Sequence, residues 1–450
     1  MSSILIVTFI IFASLDSVVP TDLQNPVKIL ENDIMYYKKT LLKQLPETLH
    51  KQGADVLGNI ADDCKFDPDE NLDVPQIIRR HGYPSESHVI ESPDGYLLRV
   101  HRIPGNKDGQ TGGQPVYLQH GLMGSSADFV LNGNNTLAFY LADNGYDVWL
   151  GNARGNIYSR GHVSLPLSSP KYWNFSWHEM ATVDLPATLY HISNNTGKPG
   201  EIIYIGHSMG TTMSFVLAST LPQVAKNLKL IVSLAPTVFM THLRSPIRYL
   251  TPFAYDINWI AKYLGINELA PTNKVLKLLS YECVLKFTKE ICSNLLFVIA
   301  GFNKNEFDIH TLPKIVSHDP AGASTKTLIH YSQEIRSGGN FQQFDYGPKG
   351  NMIKYGTLTP PLYKLENIKR PIYLMYAPND ILTSYIDVER LAKNLTTVAG
   401  LYKIPSDTFG HVDFIFGKNA FTYVYEPLVK FLSGYKEEDN SIYRPKVFMT

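Results

Sequence analysis

The apolar residues of this chain are unevenly spread. Short runs with almost no polar interruption alternate with longer stretches in which apolar positions recur every three or four residues. The runs are Val116 to Gln119, Asp147 to Leu150, Glu201 to Ile205, Leu230 to Ala235, Ile372 to Ala377 and Leu401 to Ile404. A run that is apolar on both faces reads as a strand covered on both sides, and the helical stretches between the runs supply the covers. Upstream, "HVIESPDGYLLRVHRIP" places two strands around a Pro-Asp-Gly turn. The predicted class is α/β, a mostly parallel central sheet with helices on both faces.

Between Ala235 and Ile372 the pattern changes to a long stretch rich in Leu, Phe, Tyr and Ile with helical character. It is many times longer than a crossover needs. This predicts a cap inserted at about 236–340, between a first core segment, 64–235, and a second, 341–435, with a tail at 436–450. At the N-terminus the apolar run Ile4 to Phe12, followed by small residues, has the length of a signal-peptide core, and residues 1–20 are expected to be removed on secretion. Residues 21–63 form an N-terminal extension. Val27, Leu30, Ile34, Tyr37, Leu41 and Leu45 recur there at helical spacing among Lys28, Lys38, Lys39 and Lys43, as in a propeptide or surface helix. No other segment is long and apolar enough to span a bilayer.

Composition narrows the function. The 41 basic and 41 acidic side chains balance, so no net field attracts a polyanion, and nucleic acid is not an expected partner. Four N-x-S/T triplets, at Asn134, Asn174, Asn194 and Asn394, agree with secretion and are candidate glycosylation sites. Of the 3 cysteines, Cys283 and Cys292 are spaced to close a small loop, with Cys64 left over; the alternative is three buried thiols.

The chemistry is carried by "IYIGHSMGTTMS", Ile203 to Ser214. Two glycines flanking Ser208 at the end of a strand suit a turn into a helix so sharp that neighbouring side chains would clash, which leaves the hydroxyl exposed at the tip. A serine needs a base and the base needs an orienting acid. In parallel sheets such groups gather at the carboxyl ends of strands. "PIYLMYAPND" ends at Asp380, and "LYKIPSDTFGH" ends at His411, so the chain order is Ser, Asp, His. Asp184 precedes the serine and reads as structural. Asp387 is a rival acid, and Asp413 is too close to His411 in sequence to point back at its ring. Two N–H groups should stabilise a developing oxyanion, one from Met209 and one from Leu122 in "HGLMGSS", where His120 and Gly121 allow a tight backbone approach.

The segments "LQHGLMGSSADFV", "DVWLGNARGNIYSRGH", "YIGHSMGTTMS", "SHDPAGASTKTLIHYSQ", "YAPNDILT" and "GHVDFI" together resemble the animal acid lipases, the family of gastric and lysosomal acid lipase. The similarity covers about residues 66 to 433. It implies an α/β-hydrolase fold and a secreted or lysosomal enzyme that hydrolyses triacylglycerols or cholesteryl esters at a lipid–water interface. It further implies Ser208, Asp380 and His411 as the catalytic residues, Leu122 and Met209 in the oxyanion hole, no metal and no organic cofactor. The family pattern also places a disulfide at Cys283 and Cys292, while a third cysteine often found shortly after that pair is Ala300 here. A carboxylesterase for soluble esters and a non-catalytic lipid-binding protein are the alternative readings.

Overall fold

The computed structural model describes residues 67–245, 248, 267–269, 305–308 and 311–435. The expected signal peptide, the N-terminal extension, all three cysteines, most of the expected cap and the tail 436–450 lie outside the described residues. The described residues fall into two units, one ending at Asn71 and one beginning at Leu72. In the first, a short turn at Pro68–Glu70 is closed by a reciprocal cap between Asp67 and Glu70.

The second unit is built on eight main strands: β1 (Glu86–Glu91), β2 (Tyr96–Ile103), β3 (Pro115–Gln119), β4 (Asp147–Leu150), β5 (Ile202–His207), β6 (Leu228–Leu234), β7 (Ile372–Tyr376) and β8 (Val398–Lys403). Their spatial order is β1-β2-β4-β3-β5-β6-β7-β8, with the two-residue strand Gly161–His162 beside β2. β1, β2 and β4 are joined antiparallel; every pairing from β4 to β8 is parallel. The six expected strands are all present. β5 runs two residues past its expected end, because pairing with β6 continues through His207↔Leu234. The β1–β2 turn is fixed by Gly95 at φ +91, where a Cβ would lie 2.7 Å from the Val163 side chain.

Nine helices of seven or more residues are described in this unit: α1 (Val74–Arg80), α2 (Leu137–Asp143), α3 (Leu185–Thr196), α4 (Met209–Thr220), α5 (Leu312–His318), α6 (Thr325–Arg336), α7 (Gly347–Tyr355), α8 (Tyr385–Asn394) and α9 (Glu426–Gly434). The core divides by sheet face. Val116, Leu118, Ile203 and Ile205 pack with α1, α2 and α9 on one side, whereas Tyr117, Ile202 and Tyr204 pack with α3, α4 and α8 on the other. Alternation along each strand produces this division. Each fully buried aliphatic or aromatic side chain contributes roughly 1.5–3 kcal/mol. β3, β4, β5 and β7 are buried at every position, which is why they read as unbroken apolar runs.

Within the expected cap range, α6 packs on the core. His330 stacks on Trp177 with ring centroids 3.7 Å apart, and the Tyr331 hydroxyl lies 2.9 Å from Thr212 Oγ1 on α4.

Candidate active site

β5 ends at His207 and α4 begins at Met209, so one residue, Ser208, makes the whole turn. It does so at φ +52, ψ −118, a left-handed conformation that costs a side-chain-bearing residue of order 1–3 kcal/mol unless its surroundings impose it. They do. Ser208 N–H donates to Leu234 O on β6 (3.1 Å). Both flanking glycines are required: a Cβ on Gly206 would lie 2.6 Å from the Gly210 carbonyl carbon, and one on Gly210 would lie 2.3 Å from Gln119 O.

His411 Nε2 lies 2.8 Å from Ser208 Oγ, and His411 Nδ1 lies 2.8 Å from Asp380 Oδ2. Asp380 can only accept when ionised, so Nδ1 carries the proton and Nε2 is left to accept from the serine hydroxyl. Asp380 is fully buried. Its Oδ1 accepts the N–H groups of Leu382 (2.8 Å) and Thr383 (2.7 Å), and its Oδ2 also accepts the Thr383 hydroxyl. Burial alone would raise the Asp380 pKa. The positive charge available to His411 and the hydrogen bonds from His411 and Thr383 outweigh burial, and the net shift is downward.

His207 braces the same ring. Its Nε2 lies 3.0 Å from His411 O, which can only accept, so Nε2 bears the proton. Burial, reinforced by the charge of His411, pushes His207 down to about 3, so it stays neutral while His411 cycles.

The loop after β3 faces this group. A Cβ on Gly121 would lie 3.1 Å from Ser208 Cβ, a crowded contact that glycine avoids where the loop passes the serine. His120 contributes more than the tight approach expected of it. Its Nε2 accepts Ala153 N–H (3.0 Å), so Nδ1 carries the proton and donates to Gly121 O (2.7 Å). In a trans peptide the carbonyl and the following N–H point in opposite directions, so fixing Gly121 O also fixes the aim of Leu122 N–H. No acceptor among the described residues takes the N–H of Leu122 or Met209.

The rival carboxylates are engaged elsewhere. Asp184 receives Arg154 Nε (2.8 Å) and Nη2, and Arg154 also reaches Asp94 (2.7 Å) while lying 3.8 Å above the Tyr96 ring. Asp387 accepts His242 N (2.7 Å) and Nδ1 (2.8 Å). Asp413 accepts Gly410 N (2.7 Å), and burial pushes it up to about 7. Among the candidate glycosylation sites, Asn174, Asn194 and Asn394 are exposed, and the side chain of Asn134 lies outside the described residues.

Sequence reading overlooked Thr383, His207 and the pair Asn152 and Asn156. Asn152 Oδ1 accepts Ser126 N–H (2.9 Å) and is itself held by Asn156 Nδ2 (3.0 Å). The D-x-x-T spacing from Asp380 to Thr383 was the one available signal, since a carboxylate at a strand end commonly accepts hydrogen bonds two and three residues ahead.

Two sequence profiles match: a partial alpha/beta-hydrolase lipase region over residues 74–133 and an alpha/beta hydrolase fold over residues 114–418. Lysosomal acid lipase/cholesteryl ester hydrolase of Homo sapiens is 35% identical over 395 residues, spanning 86% of this chain and 96% of that protein. Gastric triacylglycerol lipase of Bos taurus is 37% identical over 387 residues, spanning 85% and 95%. The chain belongs to the acid lipase family of α/β-hydrolases. A third relative, lipase member K of Homo sapiens, is 38% identical over 389 residues, spanning 85% and 95%. In this acid lipase, among the described residues, no helix is long and apolar enough to cross a membrane, and no group of three or more His, Cys, Asp or Glu is arranged to hold a metal ion.

Proposed function

We propose that this acid lipase hydrolyses carboxylic esters of neutral lipids, triacylglycerol or cholesteryl ester, through an acyl-enzyme on Ser208, in a secreted or lysosomal setting. The observation that carries the reading is the unbroken chain Asp380–His411–Ser208 at a positive-φ turn. As Ser208 Oγ attacks the ester carbonyl, its proton passes to His411 Nε2, and Asp380 stabilises the imidazolium without taking a proton. The Leu122 and Met209 N–H groups receive the oxyanion. Collapse of the tetrahedral species expels the alcohol, which takes the proton from Nε2. Water then gives its proton to His411, attacks the acyl carbonyl and releases the fatty acid with Ser208 restored.

The inserted cap, about 236–340, supplies the apolar route for the acyl chain, with Cys283 and Cys292 bridged within it. Asn134, Asn174, Asn194 and Asn394 are the glycan acceptors. Ser208→Ala should abolish labelling by a fluorophosphonate and lower turnover by several orders of magnitude, about 10⁶ by comparison with other serine hydrolases, without unfolding the protein. With wild-type protein, kcat/KM should climb along dispersed p-nitrophenyl esters of increasing chain length, since each buried CH₂ contributes about 0.8 kcal/mol. A flat series, or one that peaks at acetate, would move the assignment to a carboxylesterase for soluble esters.

A further inference from the structure

Between α6 and β7 the chain makes a closed excursion. Its base is sewn by the pairing Gln342↔Leu362, by Gln343 N–H on Pro361 O (2.9 Å) and by Tyr363 N–H on Phe341 O (2.9 Å). Within it runs α7, which buried Asn351 pins to both flanks: Nδ2 donates to Asp345 Oδ1 (2.7 Å) and Leu358 O (3.0 Å), while Oδ1 accepts Tyr346 N–H (2.9 Å). No other residue of α7 is buried.

What this excursion shows to water is apolar and basic. Ile353 is 80% exposed, Leu358 61%, Leu362 55% and Met352 47%, and Tyr346 is exposed as well. Single exposed apolar side chains are ordinary, but this many along the stretch 346–362, on a helix that buries only an asparagine, mark a contact surface. Lys349, Lys354 and Lys364 are exposed among them, and residues 346–365 contain no Asp or Glu. In a chain whose 41 basic and 41 acidic side chains balance, that is a local excess of positive charge. The excursion is also tied to the segment that holds the loop after β3. Lys326 Nζ, in the first turn of α6, donates to the Tyr346 hydroxyl (3.1 Å). Ser324 caps α6 and donates to Trp173 O (2.7 Å), and three residues earlier Ala321 N–H donates to Met123 O (2.6 Å).

We propose that the excursion around α7 seats this lipase on the anionic phospholipid coat of a neutral-lipid particle, with Met352, Ile353, Leu358 and Leu362 entering the acyl region and the lysines held at the phosphates. The inference rests on the neutral-lipid reading of the active site. Neutral esters carry no charge and reach water only beneath a coat of amphiphiles, whose phosphates stay ionised. Lysine suits such a boundary, because its stem lies along apolar surface while its ammonium reaches the headgroup. A second copy of the chain fits less well, since a two-fold interface sets the same patch against itself and brings like charges together.

The test compares the full chain on vesicles of phosphatidylcholine alone and of phosphatidylcholine with phosphatidylserine. Ile353→Ser should weaken binding to both by roughly tenfold, the loss of one inserted aliphatic side chain. Lys349→Gln and Lys354→Gln should each weaken binding about fivefold on the phosphatidylserine vesicles and little on phosphatidylcholine. All three positions are exposed, so hydrolysis of a dissolved short-chain ester should stay at the wild-type rate while hydrolysis of a phospholipid-coated triacylglycerol emulsion falls with binding. Vesicle binding that none of these variants changes would overturn the proposal. So would sedimentation showing a lipid-free dimer that Ile353→Ser dissociates, because the patch would then serve self-association. A wild type that binds vesicles through these residues but hydrolyses no ester would instead overturn the neutral-lipid reading and leave the docking surface standing.

Discussion

Asp380, after β7, and Asp128, in the short helix Ser126–Phe129 after the loop that follows β3, are both buried carboxyls, and they are held in opposite ways. Asp380 accepts from Leu382, from the backbone and side chain of Thr383, and from His411, and its pKa falls. Asp128 accepts the backbone N–H of Ser125, and burial raises its pKa. The partners of Asp380 are mostly its chain neighbours at the end of β7. Those of the loop after β3 come from afar: Ala153 for His120, Asn152 for Ser126 and Ala321 for Met123. The proton-transfer side is therefore fixed by the sheet and local turns. The charge-stabilising side is joined, through Ala321 and Met123, to the segment that returns from the expected cap.

The contrast breaks most sharply at Asp380. Asp380→Asn keeps the shape but holds His411 in the wrong tautomer, and kcat should fall by about 10⁴. A variant that kept wild-type turnover in a stopped assay with a dispersed long-chain ester would remove Asp380 from the proposed mechanism.

Asp184 sharpens it by being a buried carboxylate with a full set of partners and no contact with His411. Asp184→Asn leaves buried Arg154 short of one carboxylate, a change that typically costs about 3–5 kcal/mol, with Asp94 lessening the loss. Denaturant unfolding should report a loss of stability of that order, while fluorophosphonate labelling of the folded fraction stays near wild type. If Asp184→Asn folds well but is inactive while Asp380→Asn works, the two roles are reversed.

What could be read in the sequence follows the same division. Strands that are buried on both faces leave unbroken apolar runs, so the sheet and its order of Ser208, Asp380 and His411 were visible, and so was the need for Gly206 and Gly210. A local turn such as D-x-x-T leaves a short-range trace. The hydrogen bonds that join Asn152 to Ser126 and Ala321 to Met123 leave none, because they join positions whose proximity exists only after folding. His120 shows the limit well: its place beside Gly121 suggested tight packing, whereas its imidazole bridges Ala153 N–H and Gly121 O.

The finest test of the locally built side is Thr383. It is buried, and its hydroxyl donates to the same Asp380 oxygen that accepts from His411. Thr383→Val keeps nearly the same shape and both backbone N–H donors while deleting that one bond. A hydrogen bond to a charged group is worth about 1.5–3 kcal/mol, and much of this acts on the ionised form of Asp380. Asp380 has a pKa depressed by folding, so its stabilisation is present above the unfolded value and lost as pH falls through the folded one. With one donor gone the folded pKa rises toward the ordinary value. The acid limb of kcat/KM and the onset of acid unfolding should then both move to higher pH, and kcat at the optimum should fall about tenfold. Thr383→Ser restores a hydroxyl and should recover both limbs. If Thr383→Val lowers kcat without moving the acid limb, the hydroxyl is serving packing around the turn rather than the charge on Asp380.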